Sequence, residues 1–91
     1  MIDNLEIGKV YYVEISSFMG FRHWLFKKDS PRYNYDVITS CRRCICLDNG
    51  YMNRGNASHV CCDDDIMVIK PANRNYIALW NKKFNDNIEL I

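Results

Sequence analysis

Cysteine and histidine residues recur at metal-ligand spacing in the middle of the chain. Cys41 and Cys44 are separated by two residues, and His59 and Cys61 follow with one residue between them. Thiolate and imidazole groups are ligands that Zn²⁺ prefers, and four of them complete a tetrahedral site. These four residues therefore form a candidate zinc site, and zinc is the one cofactor that the sequence suggests.

The same cysteines have a simpler interpretation as reduced core residues. Free cysteine is among the most buried residue types. Cys41 and Cys44 face opposite sides of a regular strand, so both reach one metal ion only if the strand breaks. The five cysteines are an odd number, which excludes a complete set of intrachain disulfides. The core interpretation is therefore favoured over the zinc site.

Nucleophilic catalysis by cysteine would need a histidine and a third group that orients it. His59 lies two residues from Cys61, so the two side chains would share one face of a strand. The sequence indicates neither a third group nor a pocket. We predict no catalytic residue and expect that the chain is not an enzyme.

Basic and aromatic side chains are concentrated in segment 21–28. Small β-domains bind single-stranded nucleic acid with cationic grooves that carry exposed aromatic rings. The formal net charge is only +1, however, so no global basic field attracts a nucleic acid. RNA or single-stranded DNA binding is therefore the alternative function, and its candidate residues are Arg22, Trp24, Lys27, Lys28, Arg42 and Arg43.

Aromatic residues are more numerous than a thin core readily hides, with 2 Trp, 6 Tyr and 4 Phe. Tyr, Trp, Met and Arg are enriched at protein interfaces. Ordinary surface tyrosines are the alternative explanation. We predict a protein-binding surface formed by residues in or beside loops, namely Tyr33, Tyr35, Tyr51, Met52 and Arg54.

The length of 91 residues predicts one domain, 1–91. With 48% hydrophobic and 25% charged residues, the composition is typical of a globular protein. Segment 1–6 is acidic and lacks the features of a signal peptide. No apolar run approaches the roughly 18 residues of a membrane span. We therefore expect a cytoplasmic protein that does not contact membranes.

Alternation of apolar and polar residues predicts the elements that position these candidates. The predicted strands cover residues 8–16, 21–28, 35–47, 51–53, 58–62 and 66–70. Segment 48–50 is Asp-Asn-Gly, which is typical of a type I′ hairpin turn.

A short helix is predicted after the last of these strands. Asn73 or Asn75 would cap it, and an apolar stripe at helical spacing is formed by Tyr76, Ile77, Trp80 and Phe84. From Asn85 onward the chain is expected either to fray or to pair as an edge strand through Ile88, Leu90 and Ile91.

The fold class that follows is mainly β (α+β). Segment 8–13, Gly-Lys-Val-Tyr-Tyr-Val, resembles the first strand of SH3-like barrels. We expect either a small, strongly bent antiparallel sheet or an SH3-like, partly open barrel, with one short C-terminal helix.

Residue types encoded by AT-rich codons are abundant, with 10 Asn, 10 Ile, 6 Lys and 6 Tyr. In this respect the chain resembles the small accessory proteins of AT-rich bacteriophages, which act in host takeover or against host defence. The resemblance implies a non-enzymatic inhibitor or modulator that occupies a site on a host protein or complex, such as a defence system. It would act as a single chain or as a homodimer.

Overall fold

The computed structural model of the chain describes residues 5–17, 20–28, 43–54 and 65–90. They form five strands and one helix, which confirms the predicted α+β, mainly β fold. The elements are β1 (Val10–Ser17), β2 (Gly20–Lys27), β3 (Cys44–Cys46), β4 (Met52–Asn53), β5 (Ile66–Pro71) and α1 (Arg74–Phe84).

The strands form one antiparallel sheet in the order β4-β3-β2-β1-β5. Within the described residues, β4 and β5 are the two ends of this order, so the sheet is open there. A register shift between Glu14 and Ile15 marks an irregularity where β1 pairs with β5. Such bulges increase the local twist and bend the strand. The architecture therefore agrees with the first of the two predicted forms, a bent antiparallel sheet.

Most of the predicted strands are observed within two residues of their expected ends. This holds for 8–16, 21–28, 51–53 and 66–70. Of the long predicted strand 35–47, only residues 43–47 are described, and β3 occupies three of them. The predicted strand 58–62 lies outside the described residues.

The cross-strand register assigns each side chain to one of two faces of the sheet. Leu25 pairs with Ile45, and both pack against α1 on what we call the helix face. Phe26 pairs with Cys44 on the opposite face, which we call the far face. All four side chains are almost completely buried. Both faces of the sheet therefore contribute to an apolar core.

The buried apolar residues form two clusters, one on each face of the sheet. The buried residues of the helix-face cluster are Val10, Leu25, Ile45, Ala72, Ile77, Trp80 and Phe84. Those of the far-face cluster are Tyr11, Val13, Ile15, Phe26 and Cys44. Burial of a large apolar side chain stabilises a fold by about 1.5–3 kcal/mol. Trp80, with 0% exposure, is the largest of the fully buried side chains.

The helix begins and ends with asparagine caps. The Asn73 side chain accepts a hydrogen bond from the Tyr76 backbone N–H at 2.9 Å, which confirms one of the two predicted N-caps. Asn85 adopts a left-handed conformation with φ of 55° and ends the helix. No helix formed by the described residues is long and apolar enough to cross a membrane.

The segment that follows the helix differs from the prediction, since residues 86–90 form no strand and are held in place by α1. The Asn81 side chain accepts a hydrogen bond from the Ile88 N–H and donates one to the Ile88 carbonyl, both at 2.9 Å. A neighbouring strand would form its hydrogen bonds with these same two backbone groups of Ile88. The side-chain amide therefore replaces strand pairing, and Ile88 packs against the helix-face cluster. Ile91 lies outside the described residues.

Candidate functional site

Three of the predicted protein-binding residues lie in and just after the hairpin that joins β3 to β4. Tyr51 is 52% exposed. Met52 is half-buried against the helix-face cluster, and Arg54 is exposed. Because side chains alternate along a strand, Tyr51 projects from the face opposite to Met52. Tyr33 and Tyr35 lie outside the described residues.

Two hydrogen bonds fix the Tyr51 backbone at the end of a four-residue loop. The Tyr51 carbonyl accepts a hydrogen bond from the Cys46 N–H at 2.8 Å, and the Tyr51 N–H donates to the Asn49 side chain at 2.9 Å. Gly50 has a φ of 76°, whereas Asn49 does not have a positive φ. A type I′ turn needs a positive φ at both central residues. The predicted hairpin turn is therefore present, but the predicted type I′ geometry is wrong.

The Tyr51 ring is supported by Trp24, a residue that the sequence assigned to nucleic-acid binding. The two rings meet edge to face, with centroids 6.2 Å apart and an interplanar angle of 82°. Trp24 is itself half-buried and packs against the far-face cluster. Edge-to-face aromatic pairs contribute about 0.5–1.5 kcal/mol beyond the area they bury. Tyr51 is therefore both exposed and held in place.

A histidine–aspartate contact ties the same hairpin to β2. The Asp48 carboxylate accepts a hydrogen bond from the His23 backbone N–H at 2.6 Å, and its other oxygen lies 3.0 Å from His23 Nδ1. The Leu47 N–H donates to the His23 carbonyl at 2.7 Å. The hydrogen bonds from the His23 side chain and backbone lower the pKa of Asp48. No local sequence pattern predicts this contact, because 25 residues separate its partners.

Four of the basic residues assigned to nucleic-acid binding are described, and all four are buried or half-buried. Lys28 is buried, with 7% exposure. Lys27 and Arg43 are largely buried and face the same carboxylate, Asp86. Arg22 is half-buried and donates to the neighbouring backbone carbonyl at 2.7 Å. Arg42 lies outside the described residues.

Asp86 connects the end of α1 to the sheet. Its Oδ2 accepts hydrogen bonds from Trp80 Nε1 and Arg43 Nη1, both at 3.1 Å, and lies 3.5 Å from Lys27 Nζ. Burial alone would raise the pKa of Asp86. The hydrogen bonds from Trp80 and the Asn87 backbone, together with the two cations, outweigh burial and hold this pKa below its usual value. Asp86 was not among the predicted site residues, because it falls in the tail that was expected either to fray or to pair as an edge strand.

A stack of rings covers part of the helix face near the other end of α1. The Tyr12 ring stacks on Tyr76 with centroids 5.3 Å apart and on His23 at 6.2 Å, and Lys70 Nζ lies 5.4 Å from its centroid. The Tyr12 hydroxyl donates to Glu14 at 2.7 Å. Burial and this hydrogen bond raise the pKa of Tyr12 to about 12. The phenol therefore stays protonated near neutral pH, which suits a packing role.

The described part of the zinc prediction is a single residue, Cys44. Cys44 is buried on the far face, and Cys46 is buried two residues later on the same face. Cys41, His59 and Cys61 lie outside the described residues. The part of the chain that the structure describes contains no group of three or more side chains able to hold a metal ion. Cys44 packs in the far-face cluster, as the core interpretation expects.

The described surface thus carries one exposed aromatic ring that a second ring supports, whereas the described basic candidates for nucleic-acid binding are buried or half-buried. Comparison with protein-family models, with curated proteins and with solved structures finds no match to this chain.

Proposed function

We propose that this chain is a non-enzymatic binding domain that occupies a site on a larger protein or protein complex. In line with its composition, the proposed setting is the cytoplasm of a bacterial host, where a phage protein of this kind would inhibit or modulate its target. The observation that carries the proposal is Tyr51, an aromatic residue that is 52% exposed although Trp24 and a hydrogen-bonded loop hold it in place.

A supported aromatic side chain is well suited to a protein interface. Tyrosine provides a large contact area with few rotatable bonds, so little conformational entropy is lost when it is buried by a partner. Residues that dominate binding energies are enriched in Trp, Tyr and Arg. Met52 belongs to β4, an end strand of the described sheet, and Tyr51 and Arg54 flank this strand. A partner that lies along this edge would therefore pass all three residues.

The internal contacts of the basic residues favour a protein partner over a nucleic acid. Phosphate binding needs lysine and arginine side chains that are free to replace counterions. Lys27 and Arg43 already face Asp86, and Lys28 is buried. Of the six candidate residues for nucleic-acid binding, these three are therefore poorly placed to contact a phosphate backbone.

The test is affinity capture from bacterial lysate with and without nuclease, followed by quantitative binding to the captured protein. We expect a stoichiometric protein partner that survives nuclease. The variant Tyr51→Ala should weaken its binding by about tenfold or more, as expected for the loss of a residue that dominates the interface.

Met67→Ala is the matched control. Met67 is 56% exposed but lies on β5, the end strand farthest from β4 in the sheet. This control should bind like the unmodified chain. Unchanged binding by Tyr51→Ala, or loss of every partner on nuclease treatment, would refute the proposal.

A further inference from the structure

Five basic residues from four parts of the chain lie at the C-terminal end of α1. Lys27 and Arg43 share the carboxylate of Asp86. The guanidinium carbons of Arg43 and Arg54 lie 5.4 and 5.5 Å from the centroid of one ring, Phe84. Arg54 Nη2 also donates to the Lys83 carbonyl at 2.6 Å. We call this set the basic corner, and its members are Lys27, Arg43, Arg54, Lys82 and Lys83.

Among the described residues, the basic corner contains more positive charges than ion-paired carboxylates. Within the described residues, Asp86 is the carboxylate that forms ion pairs there, and it pairs with Lys27 and Arg43. The other three cations have no ion pair in the part of the chain that the structure describes. Arg54 and Lys82 are exposed, and Lys83 is half-buried. These three side chains are therefore available to an anionic ligand.

The helix dipole accounts for only part of this arrangement. Cations are favourable in the last turn of a helix, which explains Lys82 and Lys83 individually. The helix dipole does not explain the position of Arg54, which follows β4 and whose guanidinium lies over the Phe84 ring. The partial negative charge of the helix end opposes an incoming anion, but Arg54 already engages one of the terminal carbonyls.

We propose that the basic corner binds an acidic segment of the protein partner, an inference that rests on the proposed protein-binding function. The planar guanidinium of Arg54 matches the geometry of a carboxylate, which it can bind through two hydrogen bonds. Tyr51 lies three residues before Arg54 at the same edge of the described sheet, so a partner lying along β4 would pass both. A single-stranded nucleic acid fits less well because the aromatic rings of this corner, Trp80 and Phe84, are buried and present no surface on which a base could stack.

The test is a titration of the isotope-labelled chain with a short oligoglutamate peptide, followed by NMR at low and at physiological salt. We expect the peptide to change the chemical shifts of the backbone amides around Arg54 and residues 82–84, and we expect these changes to become smaller as salt is added. The double variant Lys82→Glu/Lys83→Glu keeps the Arg54 contacts and should bind the peptide about tenfold more weakly. The matched control Lys70→Glu/Arg74→Glu makes the same charge change at exposed residues near the other end of α1 and should retain binding.

Three results would overturn the inference. The first is a set of amide shifts spread evenly over the surface. The second is an equal loss of peptide binding in the control variant. The third is tighter binding of a charge-matched oligothymidylate than of the peptide at the same amides. The peptide experiment does not involve Tyr51. Failure of the peptide to bind would therefore refute the proposed binding of an acidic segment, but it would not refute a protein partner whose binding depends on Tyr51.

Discussion

Asp86 shows how one side chain can hold two layers of a small domain together. Its carboxylate is contacted by a ring nitrogen from α1, a guanidinium beside β3 and an ammonium group from the end of β2. Because 43 residues separate Asp86 from Arg43, this contact closes a large part of the chain. Asp86 therefore fixes where the helix end lies on the sheet.

Replacing Asp86 by asparagine should lower the free energy of unfolding by about 1–3 kcal/mol. The amide oxygen can still accept from Trp80, but the asparagine no longer carries the negative charge that pairs with Arg43 and Lys27. Urea denaturation at neutral pH measures the effect. Glu89→Gln removes an exposed acid three residues later and should change stability by no more than about 0.5 kcal/mol. Equal effects of the two substitutions would contradict this role for Asp86.

The lowered pKa of Asp86 also predicts how stability depends on pH. A carboxylate whose pKa is lower in the folded than in the unfolded chain stabilises the fold above its unfolded-state pKa. That contribution is lost as the pH falls through the folded-state pKa. The urea midpoint should therefore fall from roughly pH 5 downwards, and it should fall less in Asp86→Asn. An equally steep fall in the variant would assign the acid sensitivity to other carboxyl groups, such as Asp48.

At the scale of elements, the hairpin between β3 and β4 is the part that presents the candidate surface. Its loop depends on Gly50, which has a φ of 76° and open space around the position of a side chain. An added methyl group would therefore cause backbone strain without a steric clash. Gly8 is a matched site, with a φ of 90° and open space, but it lies before β1.

Gly50→Ala and Gly8→Ala should each lower the free energy of unfolding by about 1 kcal/mol, because both force alanine into a left-handed conformation. Only Gly50→Ala should also weaken partner binding, because it disturbs the loop that holds Tyr51. Thermal unfolding and binding to the captured partner measure the two effects. A similar loss of binding in both variants would mean that the hairpin has no specific role.

At the scale of the whole molecule, we expect a fold that does not depend on a metal ion, because two apolar clusters form the core of the described residues. Cys44 and Cys46 are buried on the far face, and Cys44 packs with Phe26. We predict that a strong chelator leaves the melting temperature of the reduced protein unchanged. A structural zinc site contributes directly to folding free energy. A clear drop in melting temperature would therefore restore the zinc interpretation for Cys44 and its predicted companions.

Local patterns in the sequence were sufficient for most elements but not for the site. Alternation located β1, β2 and β5, and the N-cap predicted at Asn73 or Asn75 located the start of the helix to within two residues, because these features depend on neighbouring residues. The contacts of Asp86 with Arg43 and of His23 with Asp48 join residues that are 43 and 25 positions apart. No local pattern encodes such pairs. Tyr51 was identified by residue type, but its support by Trp24 depends on the sheet register.

The sheet that is apolar on both faces has a consequence for misfolding. A one-residue slip of a strand moves every side chain to the other face, and a sheet with one polar face resists this strongly. In β2, a slip would exchange Leu25 for Phe26, one apolar residue for another. The contacts of His23 with Asp48 and of Lys27 with Asp86 would then be the main features that reject the wrong alignment. A variant that lacks these two contacts would form misaligned hairpins, and the unpaired edges of those hairpins would bind other chains. Such a variant should therefore form aggregates that retain β-structure.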